Sequence, residues 1–547
     1  MACAAAGAIK AQRPGELVWI WTTETYAVLP AACPHVDQVF TSDAALKGAL
    51  RSVIGPACPL HYHDLSPVRF GLSPEPQVKA FLRELGLDAS ARTLSLDLEI
   101  PEEAETRVAD LTGPRRGRRI LLHAAQGDPN RTWPQDCWEA LARRFLQGGH
   151  EVFLVGDRRG DPYKGAMALR TPGLRSLIDQ LDLLEFAALC RVSDLLVTTD
   201  SGPVQLAGAS DIGILGIYSV VQGIHRLPFR HGIPAWNAVA VEPRCALKGC
   251  YQYMGMNRHI QRHREAFERG GAAVNDVFAK WCLADDPYAC LRSQITAEEV
   301  HASAATLLSM PAGERGDLAN RIGAALDAGR SDDAGILLTA TPADDSGFAM
   351  ARATLLMAQG RTGEALSILS DLVTRNPGWT EALEALMVCG LMEGQWMESV
   401  KCIRALAVMD PSNPLVAGAR NYLKAWQEMN QGASEACLQT LAPHLGGAGI
   451  QGRAFGIRPE HLEVLAGFAA LGLDDSGRAS RHFTRAVEAA PRTADAWFGL
   501  GEVADREGRQ EEASRLFWRA LEVDPDHPWA RQRVGGRQVV PAPGEGE

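Results

Sequence analysis

Between residues 118 and 300, short apolar runs alternate with amphipathic stretches. That alternation is the pattern of a parallel α/β sheet with helical crossovers. Ile120-Leu121-Leu122 reads as a strand, and Trp138, Leu141, Ala142 and Phe145 form the apolar stripe of a helix. Val152 to Val155 is the next strand, closed by Gly156. Leu183 to Cys190 predicts a helix, and Leu195 to Val197 a strand ending at Thr199-Asp200. Ser201 then opens a helix, and Ile212 to Tyr218 is a further buried strand. Residues 1–105 read as a weaker α/β lobe, with a strand at Leu17–Trp21 and a helix at Val78–Leu85. The charged stretch Glu102–Gly117 carries Pro and Gly and predicts a linker, centred on 106–117, between the lobes 1–105 and 118–310.

Beyond residue 310 a longer period takes over. Gly501, Ala513, Phe517, Ala520 and Pro525 each have the same residue type 34 positions earlier, at Gly467, Ala479, Phe483, Ala486 and Pro491. The same step links Pro411 to Pro377 and Gly394 to Gly360. Small residues where helices cross, an aromatic on the second helix and a closing Pro resemble the tetratricopeptide repeat. Repeats are expected at 346–379, 380–413, 460–493 and 494–527, within an all-α solenoid spanning 314–530. Residues 414–459 would hold a degenerate repeat with an insertion around Gly446–Gly452. Gly467, Gly501, Ala479 and Ala513 would let the next helix pair approach closely. The tail 531–547, with Gly535, Gly536, Pro541, Pro543 and Gly544, predicts a frayed end.

Composition narrows the class. At roughly 150 residues per domain, 547 residues suggest three to four domains. Hydrophobic residues at 46% and charged residues at 22% exclude wholesale disorder. Lys+Arg 55 against Asp+Glu 66 leaves a net charge of −11, which argues against a general nucleic-acid partner. No run approaches the roughly 18 apolar residues of a membrane span. Met1 to Lys10 lacks the basic start of a signal peptide. The 12 scattered cysteines read as reduced thiols, so a cytoplasmic protein is expected.

Two loops carry the candidate chemistry. One runs from His123 through Arg131 and Thr132 to Trp133-Pro134, between a strand and a helix; the other is Thr199-Asp200-Ser201-Gly202-Pro203. In a parallel sheet both lie outside strand carboxyl ends, where open α/β sheets bind ligands. At Ser201 a helix start offers free N–H groups, Gly202 removes a Cβ, and Pro203 suits an early helical position. That outlines a phosphate site, with Arg131 as a guanidinium fork for a second phosphate oxygen. Plain N-capping by Ser201 or Asp200 explains the second loop about as well.

The order and spacing of these features resemble the C-terminal half of family 9 glycosyltransferases, the bacterial lipopolysaccharide heptosyltransferases. The match runs through His123, Arg131, Trp133-Pro134, Gly148-Gly149-His150-Glu151-Val152, Asp182–Cys190 and Asp200-Ser201-Gly202-Pro203. It covers about 115–300 well and 1–60 faintly. The resemblance implies two Rossmann-like lobes in the GT-B arrangement. A nucleotide-diphosphate sugar, usually ADP-heptose, would bind the C-terminal lobe and a glycan or protein acceptor the N-terminal one. Transfer would be inverting and need no metal cofactor. Arg131 would neutralise the leaving diphosphate, Ser201 and Gly202 would hold phosphate, Asp200 would bond sugar hydroxyls, and His123 and Gln205 complete the donor-binding set. The expected main contribution is stabilisation of charge on the leaving group. The resemblance also implies a role in lipopolysaccharide biosynthesis, in the cytoplasm or peripherally at the inner membrane.

Several positions depart from the family pattern. The family's Pro-Gly is Ala124-Ala125, Asp128 stands where a small residue is usual, and Gln205 replaces a His. Ser219 to Gly223 replaces the usual Gly-Pro-Thr-Asp-Pro. The family's opening strand and Gly-Asp pair, whose Asp is the general base, have no counterpart before Gly7-Ala8-Ile9-Lys10. The first strand is therefore expected to be missing and the catalytic residue is unknown. Asp64, in His61-Tyr62-His63-Asp64, is the one cluster of that lobe worth a test, although a polar loop is the favoured reading because no spacing argument supports a catalytic role.

Cys245, Cys250, Cys282 and Cys290 follow the donor lobe, where family members carry a cysteine cluster. Four thiolates could hold structural zinc or iron, with His259 and His263 as alternative ligands; free thiols are the plainer reading. Cys190 and Cys437 read as small core residues. Trp497, Phe517, Trp518 and Trp529 could line a peptide groove for a partner protein, although Trp497 and Phe517 occupy packing positions. Arg478, Arg481, Arg485 and Arg492 read as a solvated face. Two functions follow: a glycosyltransferase whose repeats recruit an acceptor or partner, or a repeat scaffold with a degenerate transfer module. A repeat-bearing O-linked N-acetylglucosamine transferase would have the reverse domain order.

Overall fold

The computed structural model describes residues 2–41, 77–87, 95–126, 131–158, 165–230, 233–234, 237–245, 288–342, 345–375, 379–409, 413–452 and 454–535. The chain divides into two compact units, Met1–Trp379 and Thr380–Glu547.

The first unit opens with α1 (Ala2–Gln12), β1 (Trp19–Thr22), α2 (Glu24–Ala31) and β2 (Gln38–Thr41), followed by α3 (Gln77–Glu84). The two strands pair in parallel with Trp19 opposite Gln38. Ala5 and Ala8 of α1 pack with Phe81 and Leu82 of α3 and with Phe229 into a small apolar cluster. The stretch expected to be a linker is instead largely helical, as α4 (Glu102–Thr112). Glu102, Glu103 and Glu105 suit the positive end of the helix dipole, and Ala104, Val108 and Thr112 recur every four residues as its buried face. Charged composition had masked that stripe.

The main sheet comprises β3 (Arg119–His123), β4 (Glu151–Leu154), β5 (Arg175–Ser176), β6 (Leu195–Thr199), β7 (Gly213–Ile217) and β8 (Ala238–Val241). All six run parallel, in the order β5-β4-β3-β6-β7-β8. Starting from β3 as first strand, this is the 3-2-1-4-5-6 order of a doubly wound sheet. The crossovers include α5 (Gln135–Gln147), α6 (Leu183–Arg191) and α7 (Gly202–Ala207). Ile120, Leu122, Val152, Leu154, Val197, Leu215 and Ile217 pack against Trp138, Leu141 and Phe145 of α5. Val300, Ala304 and Leu307 of α8 (Ala297–Leu308) close the same core. Because both sheet faces are covered, the strands read as unbroken apolar runs.

Helix pairs follow. The first unit ends with α9 (Ala312–Asp327), α10 (Ser331–Thr339), α11 (Ser346–Ala358) and α12 (Thr362–Arg375). The second unit holds α13 (Thr380–Met392), α14 (Trp396–Met409), α15 (Pro414–Asn430), α16 (Ser434–Leu441), α17 (Pro459–Gly472), α18 (Ser476–Ala489), α19 (Ala494–Arg506), α20 (Gln510–Val523) and α21 (Pro528–Gly535). First helices begin at 312, 346, 380 and 414, a step of 34 each time, so the array starts one pair before the repeats read at 346. The insertion between α16 and α17 forms a small hairpin, Ile450–Gln451 antiparallel to Gly456–Ile457.

The small residues act partly within a pair. A Cβ on Gly467 would lie 2.5 Å from the ring of Phe483, and one on Gly501 would lie 2.5 Å from Phe517, each on the second helix of the same pair. Closeness between pairs comes from Gly499, whose Cβ would lie 2.3 Å from Phe483. Phe517 is fully buried, whereas Trp518 and Trp529 are exposed.

Candidate functional site

The strand order reverses between β3 and β6, so their crossovers leave in opposite directions and a crevice opens outside their carboxyl ends. His123 ends β3 directly opposite Thr198 of β6. The Nδ1 atom of His123 lies 3.0 Å from Thr198 Oγ1, which lies 2.9 Å from Ser201 Oγ. Ser201 Oγ is in turn 3.4 Å from His123 Nδ1 and donates to the Thr199 carbonyl at 3.0 Å. Three side chains from two strands and the following turn thus form one closed polar group. Burial pulls the imidazole of His123 down to about 4, so it is neutral at physiological pH.

Ser201 stands at the N-cap of α7 with extended backbone (φ −152°), yet its side chain makes no capping bond. Its hydroxyl turns to His123 and Thr198 instead, so side-chain capping does not account for this serine. A Cβ on Gly202 would meet no protein atom within 4 Å. The fold itself does not demand glycine there, and the space is open on the solvent side.

Asp200 is half-buried. Burial pushes its carboxyl above the usual range, while the guanidinium groups of Arg226 and Arg131 pull it down. Arg131 and Asp200, sixty-nine positions apart in the chain, are therefore brought within electrostatic reach of each other. Gln205 donates its side-chain amide to the Arg226 carbonyl and fastens the segment that carries that arginine. Tyr218, just after β7, is fully buried, and its ring fills the space above Gly216 and Gly223. Burial raises its phenol well above the ordinary value, and Asp200 and Glu242 add to the effect. Glu242 accepts from the Gly223 amide at 2.7 Å.

Thr198, Tyr218, Arg226 and Glu242 were not foreseen. Thr198 was detectable in principle as the strand-end polar residue in register with His123. Arg226 directly follows a short turn, Gly223–His225, that has no motif of its own. Trp133, read as part of the ligand loop, is a buried anchor: its indole donates to the Ile295 carbonyl at 3.0 Å and meets Trp138 edge-on at 4.9 Å. It ties the loop carrying Arg131 to the core.

Asp64 with its histidines, Asp128, Cys250, Cys282, His259 and His263 lie outside the described residues. Cys245 and Cys290 are half-buried, and Cys290 packs at the margin of the main core. Among the described residues, no group of three or more His, Cys, Asp or Glu side chains gathers as a metal site.

The sequence profile of glycosyltransferase family 9 (heptosyltransferase) matches residues 75–233, and that of the tetratricopeptide repeat matches residues 465–528. A segment of the chain in the parallel α/β domain thus resembles family 9 glycosyltransferases, and a helical region resembling tetratricopeptide repeats follows it. No curated protein matches the chain. Among solved structures, the family 9 glycosyl transferase of Veillonella parvula is 15% identical, with 56% of this chain and 92% of that one covered and a TM-score of 0.40. The ADP-heptose lipopolysaccharide heptosyltransferase II of E. coli is 14% identical, over 50% of this chain and 96% of that one, with a TM-score of 0.35. A thermophilic tetratricopeptide repeat protein of Thermus thermophilus is 20% identical, over 35% and 97%, with a TM-score of 0.25. Among the described residues, no helix is long and apolar enough to cross a membrane.

Proposed function

We propose that the chain is a glycosyltransferase that binds a nucleotide-diphosphate sugar of the ADP-heptose kind in the crevice outside β3 and β6. It transfers the sugar, with inversion and without a metal, to a glycan or protein acceptor held on the N-terminal side. The repeats bring that acceptor or a partner protein.

The observation that carries this reading is the juxtaposition of Arg131, Arg226 and Asp200 at the point where strand order reverses. Arg131 and Arg226 both act on Asp200, so two guanidinium groups lie within electrostatic reach of the turn where a diphosphate would leave. Charge already in place need not be gathered as the glycosidic bond breaks. Neutral His123 adds no charge, and it holds Ser201 and Thr198 in place at the turn. Open space at Gly202 admits an oxygen-rich group to the start of α7.

Calorimetric titration with ADP and UDP tests the reading. Arg131→Ala is expected to weaken binding of the preferred nucleotide by about 1.5–3 kcal/mol, the range for a charged hydrogen bond. Unchanged binding of both nucleotides would remove the diphosphate role. One observation favours the rival, a scaffold with an inactive module: Gln205 is spent on the Arg226 carbonyl. A panel of nucleotide sugars screened for hydrolysis and thermal shift separates the two, since a scaffold would turn over none of them.

A further inference from the structure

The insertion between α16 and α17 does not loop out into solvent. It lies along the first helices of three successive pairs, α13, α15 and α17. Glu384 of α13 is buried, and its carboxylate accepts from two consecutive backbone amides of the insertion, Ala454 at 2.8 Å and Phe455 at 3.1 Å. Its other oxygen takes the side-chain amide of Asn413. Glu463 of α17, also buried, accepts from the Gly446 amide at 3.0 Å while holding His482 at 2.6 Å. On α15, Asn421 bonds His444 at 3.1 Å. Ile450 sits directly on the α15 backbone: a Cβ on Gly418 would lie 2.1 Å from its Cγ2.

What α13 and α17 grip is main chain. Ala454 is exposed and Phe455 half-buried, so the side chains at the gripped amides are not the recognised feature. The buried contributions are two branched aliphatics, Ile450 and Ile457. Main-chain hydrogen bonds for affinity with alternate side chains in pockets is how extended peptides are bound. Repeat arrays present long surfaces suited to that purpose. Emptied of the hairpin, the surface would keep a buried carboxylate lacking two donors, a costly state that favours any segment able to supply them.

We propose that the helix row α13, α15 and α17 is a peptide-binding surface and that the hairpin 446–458 is its built-in occupant. A partner displacing it would be an extended, non-acidic segment offering two adjacent amide donors to Glu384 and a branched aliphatic side chain over Gly418. Acidic segments are disfavoured by Glu384 and Glu463. This rests on the repeats as a protein-recruiting array and is independent of sugar transfer.

The test uses the full chain with residues 447–457 replaced by a short Gly-Ser bridge, and a labelled synthetic peptide of residues 448–458 as probe. By fluorescence anisotropy the opened chain is expected to bind the peptide at least tenfold more tightly than the intact chain. Glu384→Gln in the opened chain should weaken that binding at least fivefold. Equal binding by intact and opened chains would overturn the hairpin's role and leave the recruiting array standing. Absence of binding by an opened chain with native melting behaviour would overturn both for this surface. Should the opened chain not fold, Ile450→Gly in the intact chain loosens the same contact. Tighter peptide binding than in the intact chain then supports the proposal, and unchanged binding overturns it.

Discussion

At the scale of single residues, His123 joins fold and function most directly. Its imidazole is held neutral by burial, at about 4 against an ordinary 6.5. Between those values the unfolded chain binds the proton and the folded chain does not. Stability therefore rises with pH through this window and is lost as pH falls from 6.5 toward 4. The full separation corresponds to about 3 kcal/mol at its acid end. His123→Gln can still bond Thr198 but cannot titrate. Urea unfolding at pH 7 and pH 4.5 should show the parent losing more stability than the variant, and equal losses would mean that burial does not hold the ring neutral. In the sequence His123, Arg131, Asp200 and Ser201 were legible, because a strand end followed by a polar turn marks the ligand side of a parallel sheet. Arg226 and Tyr218 were not, since only the pairing of β6, β7 and β8 brings them to Asp200. Trp133 reads in the sequence as part of the loop that carries Arg131, but its indole works in the core.

At the scale of elements, close packing and helix propensity can be set against each other. Replacing Gly by Ala inside a helix gains about 1 kcal/mol in propensity. At Gly501 of α19 the added methyl would lie 2.5 Å from Phe517, and overpacking a filled core costs about 1–3 kcal/mol. Gly335 of α10 differs: its nearest neighbour to an added Cβ, Leu355 Cδ2, is 3.7 Å away, an ordinary contact. Gly501→Ala is thus expected to lower the melting temperature and Gly335→Ala to raise it; calorimetry of the two variants giving the same sign would refute the packing account. The 34-residue step was readable because such collisions recur at the same register. Strands β3, β4, β6 and β7 of the main sheet are readable within one or two residues, since burial on both faces leaves uninterrupted apolar runs, whereas the edge strands β5 and β8 are not read from the sequence. The helix at Glu102–Thr112 was not, because four acidic residues hide a four-residue period of buried positions. Strand order was also beyond reach: chain order is blind to the fact that β3 lies between β4 and β6.

At the scale of the whole molecule, the crevice belongs to one unit and the hairpin surface to the other. A ligand that binds only the folded crevice stabilises the elements that form it, by about 2.7 kcal/mol at a hundred times its dissociation constant. That gain acts on every opening that breaks the site, so the ends of β3 and β6 and the Arg226 turn should exchange their amides more slowly. Helices α17 to α20 have their own cores, built around Phe483 and Phe517, and gain nothing from such a ligand unless their opening also breaks the crevice. Hydrogen exchange with saturating ADP, or UDP if that nucleotide is preferred, is therefore expected to slow amides in residues 119–241 by up to about a hundredfold while those in 459–523 keep their rates. The synthetic peptide bound to the opened chain should give the converse pattern, with protection along α13, α15 and α17 alone. If the nucleotide slowed exchange in both units together, recruitment and transfer would have to be treated as a coupled system, with partner binding shifting donor affinity by the same factor that donor binding shifts partner affinity.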